Sequence, residues 1–423
     1  MPICLKFKPN TIGERGERGE SSMIQLPRTP AKSLPMTVRK EEELLLCCAR
    51  TYMPAPIAEY LRTLLLEDID WDYLMQVAQW HGVMPLLYQS LKSTCPELVP
   101  LEKLKQLREY FQTNSCRTVF LAQKLIAIVR LFESHQIPAL PFKGSILATA
   151  AYGNLCLRQT RDLDILVRKQ HYQKAIDLLA STGYEVILNL PWECHFVLDG
   201  DIVCIDLHCE ILPKNYSRSA SDDYWWESQQ PLCLAGEMVP NLGPEACFLM
   251  LCLNGTKDCW NTLQRICDVA ETVRANTSMD WQQIMDRAAN LGCKRIIFLA
   301  LLLARNLLEA PLSEEVLKEL ESDAAANFLA LQVSQQLFSE TTEEEIQGVP
   351  QALFHMSARE RWQDRWEIFM SLMNTHGWFT PTAQDLEFLP LPKFLHFLYY
   401  LIRPIRLLRR YRLPLSKYVG IKK

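Results

Sequence analysis

Apolar residues in the first part of the chain recur at helical spacing. Leu104, Leu107, Tyr110 and Phe111 fall on one face, and Val119, Leu121, Leu125, Ile128 and Phe132 continue it. The spacing predicts one long helix over 101–135. Shorter helices are expected from about Thr37, through 57–66, and over 71–93, with a break at Pro54 and Pro56. The texture changes at Gln136. IPALPF (137–142) is short and apolar and reads as a buried strand, followed by a short helix, SILATAAY, opening at Gly144 and Ser145. GNLCLRQTR (153–161) is turn-rich, DLDILVR (162–168) is a strand, and HYQKAIDLLASTG (171–183) is a helix closed by Gly183. YEVILNL (184–190), CHFVLD (194–199) and IVCIDLHCEI (202–211) read as three more strands, with Asp199-Gly200-Asp201 as the hairpin turn between the last two.

Helical periodicity returns at Pro244. ACFLMLCLNG, LQRICDVAETVR, WQQIMDRAANLG and RIIFLALLLARNLL predict four successive helices. Acidic stretches at 313–323 and 339–345 read as separators, with further helices over 324–338 and 358–374. No fixed-period repeat is visible. The order implies an α+β fold: a small mixed β-sheet core with helices, flanked by N-terminal and C-terminal helical regions. The expected boundaries are a basic disordered segment over 1–38, helices over 39–135, the α/β core over 136–215, a helical domain over 216–375, and a basic aromatic tail over 376–423. Met23 and Met36 are alternative starts.

Composition narrows the class. The 423 residues are 48% hydrophobic and 22% charged, which excludes a wholly disordered or collagen-like chain. No run of 18 uncharged apolar residues occurs, so a spanning helix is not expected. The net charge of -4 conceals an uneven distribution. Residues 1–40 hold eight Lys/Arg against three Glu, and 393–423 hold nine Lys/Arg and no acid, so the body between them is strongly acidic. Such a body carries no strong signal for nucleic acid. The basic aromatic segment 392–423 could dock on the chain's own acidic body, lie on an anionic membrane surface, or meet another partner. The 15 cysteines are odd in number and contain no CxxC pair, which suits reduced thiols in the cytoplasm, with a membrane-peripheral location as the variant.

The chemistry concentrates between residues 140 and 210. Asp162 and Asp164 are two apart on an expected strand and share a face, so their carboxylates converge. Converging carboxylates repel unless a proton or a cation lies between them, and Mg²⁺ suits oxygen ligands and phosphates together. Asp206 adds a third acid on a later strand. A D-x-D alone is most often a solvated strand end. Lys143-Gly144-Ser145 at a strand-to-helix turn adds a second feature: backbone N–H groups and a hydroxyl that can approach a phosphate. Alone, that turn is equally well a plain Ser cap.

Together, the Gly-Ser turn, D-x-D on the next strand and an Asp on a later strand resemble the nucleotidyltransferase fold of the DNA polymerase β superfamily. PFKGSILATAAYGN, LRQTRDLDILV, KAIDLLASTGYE and IDLHCEI are closer to one branch, an uncharacterised bacterial nucleotidyltransferase-like family. LCLNGTKDCWNTLQRICDVA and MDWQQIMDRAANLG also fit that branch, so the resemblance spans about 40–310. Where the family often carries His, this chain has Asn254, Thr256 and Lys257.

The resemblance implies Mg²⁺-dependent transfer, with Mn²⁺ as the variant, of a nucleoside monophosphate from a nucleoside triphosphate (NTP) to a hydroxyl of a small-molecule or protein acceptor. It implies that Asp162, Asp164 and Asp206 are the catalytic acids and hold two metal ions. Lys143, Gly144, Ser145, Arg158 and Arg161 would bind the nucleotide, while both arginines could instead pair with nearby acids. His208 is a candidate supporting residue or base behind Asp206. A zinc site from Cys194, His195, Cys204, His208 and Cys209 matches no closed spacing. Two other readings stay open: a catalytically silent member of the fold acting as an antitoxin-like or pathway accessory protein, and a glycosyltransferase using D-x-D. The last lacks the large doubly wound domain it would need.

Overall fold

The computed structural model describes residues 39–198, 202–211, 222–339 and 349–375. The expectations for 1–38, for the Asp199-Gly200-Asp201 turn and for the tail over 376–423 lie outside the described residues. The fold is mixed α+β, with helices flanking a five-stranded sheet.

The sheet is built from β1 (Ala139–Pro141), β2 (Leu163–Val167), β3 (Glu185–Asn189), β4 (Glu193–Leu198) and β5 (Val203–His208), in the order β1-β2-β5-β4-β3. Only β2 and β5 run parallel; the other neighbours are antiparallel. Alternation decides what each face carries. Leu163, Ile165 and Val167 on β2, Val203, Ile205 and Leu207 on β5, and Cys194 and Phe196 on β4 share one apolar cluster. That cluster is closed by α5 (Leu101–Ser134), through Leu121, Leu125, Ile128 and Phe132, and by α7 (Tyr172–Ser181), through Ala175, Ile176 and Leu179. The intervening residues therefore point to the opposite face, and these include Asp164, Asp206, His208, Glu193 and His195.

At 34 residues α5 is roughly 50 Å long by helix rise. Its start contributes Leu107 to a second, larger core and its end packs under the sheet. Val119 departs from the expected stripe: it is exposed, and Ala122 and Val129 are buried instead. The larger core draws on α1 (Lys40–Cys48), α2 (Ala55–Leu65), α3 (Trp71–Trp80) and α4 (Met84–Thr94) from the first part of the chain. It also takes α9 (Pro244–Lys257), α10 (Leu263–Ala275), α11 (Trp281–Leu291), α12 (Lys294–Leu308) and α14 (Ala324–Gln336) from the last part. Leu140, Phe142 and Leu166 join that core, so it reaches the acid-bearing face of the sheet.

Of the two expected acidic separators, residues 340–345 lie outside the described residues and the other is an ordered element. The acidic stretch at 313–323 contains α13 (Glu314–Ser322), whose Val316 and Leu320 are buried, with Ser313 accepting from the Val316 N–H. The helix expected over 358–374 is Trp362–Thr375, and a further helix, Val349–Ala358, precedes it. Residues 216–243, expected to be helical, hold α8 (Asp222–Glu227) and then a hairpin, β6 (Gln229–Leu234) with β7 (Glu237–Leu242). Its turn is Ala235-Gly236, with φ of 51° and 91°, the pair of positive values that a tight two-residue hairpin needs. Among the described residues no helix is long and apolar enough to cross a membrane.

Candidate active site

Asp164 and Asp206 face each other directly across the parallel β2–β5 pair. His208, two residues beyond Asp206, lies on the same side. One ligand atom from each of the three lies within 4.8 Å of the others. Asp162 sits one residue before β2 and is not a member of that ring, but it lies in its field. Burial, and then the charges of Asp164 and Asp206, push its carboxyl up to about 6. Burial and Asp164 also raise Asp206. Asp164 goes the other way: burial alone would raise it, but the Lys143 ammonium is the largest opposing influence and the carboxyl is held below the usual carboxylate range. Lys143 Nζ lies 2.9 Å from Asp164 Oδ1. Asp258, at the end of α9, also acts on Lys143.

The turn before α6 (Gly144–Ala150) accepts little but glycine at 144. Its φ is +52°, and a Cβ there would lie 3.1 Å from Thr160 Cγ2 and 3.3 Å from the Asp162 carbonyl oxygen. The turn is thereby seated against the segment that carries the acids. Ser145 is fully buried and its Oγ has no hydrogen-bond partner among the described residues; the same is true of the buried Thr160 Oγ1. Unsatisfied buried hydroxyls are rare and call for a missing partner.

Behind the acids stands a second tier. His195 Nδ1 lies 3.1 Å from Asp206 Oδ1, and His208 Nε2 lies 3.4 Å from Asp164 Oδ1. Glu193 sits between the rings, 3.4 Å from His195 Nε2 and 3.6 Å from His208 Nδ1. Antiparallel register places this tier: Glu193 is opposite His208, and His195 is opposite Asp206. Glu193 has no place in the set predicted from sequence, and His195 appears there only as a poor zinc candidate. The E-x-H of β4 and the D-x-H of β5 share the same parity, which is the signal that could have found them.

The two arginines part company. Arg158 is paired bidentately with Asp268 on α10, at 2.8 and 2.9 Å, and Tyr152 donates to the same carboxylate at 2.7 Å. All its ordinary fork geometry is thus engaged within the protein. Arg161 is exposed, and its backbone carbonyl accepts from Arg117 Nη2 at 3.2 Å. Asn254 and Thr256 are buried along α9, where Asn254 donates to the Met250 carbonyl and Thr256 accepts from the Trp260 indole.

A family described as uncharacterised nucleotidyltransferases matches residues 67–309, more than half of the chain. The chain belongs to this family. The match encloses α3 to α12 and therefore the whole acid-bearing sheet. No curated protein matches. Among solved structures, the lincomycin-bound lincosamide antibiotic adenylyltransferase LnuA is similar at 20% identity, with 36% of this chain and 94% of that one covered and a TM-score of 0.28. A nucleotidyltransferase-like protein from Paracoccidioides brasiliensis is similar at 15% identity, covering 47% and 96%, with a TM-score of 0.30.

A divalent cation fits the donor set. Two carboxylates suit a hard ion, and the buried His208 Nε2 beside them makes no hydrogen bond among the described residues.

Proposed function

We propose that this member of the family is a divalent-metal-dependent transferase. It would move a nucleoside monophosphate from an NTP to a hydroxyl of a small-molecule or protein acceptor. The observation that carries the reading is the direct pairing of Asp164 with Asp206 beside an orphaned Ser145 hydroxyl, inside the region that the family matches.

In this reading Asp164 and Asp206 hold one ion and Asp162, with its neighbours, a second. Bound there, Mg²⁺ or Mn²⁺ would supply charge neutralisation for the departing pyrophosphate and a more acidic attacking hydroxyl. The protein's own groups orient the reactants. The Gly144 backbone and the Ser145 hydroxyl receive phosphate oxygens, which satisfies an Oγ that otherwise has no partner. Lys143 exchanges part of its contact with Asp164 for the phosphate chain and neutralises it as a point charge. Arg161, exposed beside Asp162, is free to reach phosphate, whereas Arg158 acts by holding the strand entry through Asp268.

Pyrophosphate release from a panel of NTPs, with Mg²⁺ or Mn²⁺ and candidate hydroxyl acceptors, tests the proposal. Release that is lost in Asp164→Ala supports it. Absence of both nucleotide binding and release with every NTP and metal overturns it.

A further inference from the structure

Among the described residues the close donor set is not the three-acid arrangement expected from sequence; the third close donor is an imidazole. His208 is only 6% exposed, and its Nε2 is buried without a hydrogen-bond partner among the described residues. That nitrogen lies 3.4 Å from Asp164 Oδ1. The other ring nitrogen, Nδ1, has the Glu193 carboxylate 3.6 Å away. Carboxylates thus face both ring nitrogens, and a cation bound at Nε2 in place of a proton would leave the remaining proton on Nδ1, toward Glu193. In a ring protonated only at Nδ1, the Nε2 lone pair facing the Asp164 carboxylate is repulsive unless a cation lies between them. Imidazole backed by a carboxylate is also how ligating histidines are commonly oriented. Phe142 packs edge-on against the ring, with centroids 5.3 Å apart, and limits its rotation. Lys143 on Asp164, and His195 on Asp206, complete the charged surroundings of the pair.

We infer that His208 is a direct metal ligand with Asp164 and Asp206, oriented by Glu193, and that its nitrogen makes the site prefer Mn²⁺ to Mg²⁺. This rests on the metal-dependent reading above and sharpens which ion that reading requires. The chemical reason is donor type: Mg²⁺ favours an all-oxygen shell and keeps its waters, whereas Mn²⁺ accepts a nitrogen at less cost. His208 thus moves from a supporting position to the metal shell, and Glu193 takes the supporting position.

The test uses the full chain with MnCl₂ or MgCl₂ and a non-hydrolysable NTP. Electron spin-echo spectroscopy of the Mn²⁺ complex should show ¹⁴N coupling of an imidazole, lost in His208→Asn and kept in His195→Gln. Calorimetry should show Mn²⁺ preferred over Mg²⁺, with that ratio falling about tenfold or more in His208→Asn, in the range expected when metal-site partners are altered. Glu193→Gln should weaken Mn²⁺ binding while retaining the ¹⁴N signal, which separates orientation from ligation without removing the ring. Mn²⁺ bound without ¹⁴N coupling, or with a ratio unchanged in His208→Asn, overturns this inference and leaves metal-dependent transfer standing. Failure of either ion to bind, with or without nucleotide, overturns both.

Discussion

Two buried charged clusters lie close together in this protein, and they differ in whether their polar groups are matched. Around Asp268, Arg158 presents two N–H groups and Tyr152 one O–H, and the carboxylate accepts all three. Around Asp164 and Asp206, the acids outnumber their cations, and His208 Nε2 and Ser145 Oγ have no hydrogen-bond partner among the described residues. The closed cluster needs nothing further. The open one holds like charges together at an energetic cost, as expected where a ligand supplies the missing partners. Sequence treats Lys143 and Arg158 alike, because both are cations near one D-x-D.

The largest expected effect breaks the open cluster. Asp164→Ala should lower pyrophosphate release by about a thousandfold, the loss of several kcal/mol of transition-state charge stabilisation. Far-UV circular dichroism should remain that of the folded chain. Breaking the closed cluster should instead act on stability. Asp268→Ala strands the Arg158 guanidinium and should cost about 3–5 kcal/mol in denaturant unfolding. Replacing both partners, as Arg158→Met with Asp268→Leu, should recover most of that loss, since a matched apolar pair is often neutral. If the double variant also keeps its KM for nucleotide, Arg158 is a structural residue. A raised KM would return it to the phosphate site.

Acid should next act on the matched interior. His81 accepts the Leu263 N–H at Nδ1, which keeps that nitrogen unprotonated, whereas His355 Nε2 donates to the Lys257 carbonyl at 3.0 Å, a contact that burial outweighs. Burial pushes both down to about 4 from 6.5. The unfolded chain therefore binds more protons between those values. Stability should be full above pH 6.5 and fall as pH drops toward 4, by at most about 1.4 kcal/mol per unit for each ring. Denaturant midpoints at pH 7.5, 6 and 5 check the sign. The smallest stability effect belongs to Ser145→Ala. Removing a buried hydroxyl without a partner should be neutral or stabilising by about 1 kcal/mol. The same change should raise the KM for nucleotide, so stability and binding would move in opposite directions.

Much of the scaffold was legible because its signals are local. Period-2 alternation located β2, β4 and β5, and helical spacing located α5 and α9 to α12, with ends displaced by a few residues. The β6–β7 hairpin is hard to see in the sequence, since each strand carries a proline, Pro231 and Pro240. In the structure they pair with each other on a two-stranded sheet, at a position consistent with the non-hydrogen-bonded sites of the ladder. Helix α13 was missed because its acids dominate the composition, although Val316 and Leu320 sit four apart and both are buried. At the site, Lys143, Gly144, Ser145 and the three aspartates were visible as an ordered motif. Glu193 and His195 were not, because their place depends on which strand lies beside β5. Asp268 lies 110 positions beyond Arg158, and no local pattern announces their pairing.

By itself, then, the sequence determined the succession of elements, the parity of each strand and the acid-bearing motif, since all three follow from residue types at short spacing. Only the tertiary structure decided that Asp164 pairs with Asp206, that Arg158 is engaged by Asp268, and that His208 groups with Asp164 and Asp206. Those outcomes depend on strand order and register, which are set by burial of the apolar face against α5 and α7 over long stretches of chain.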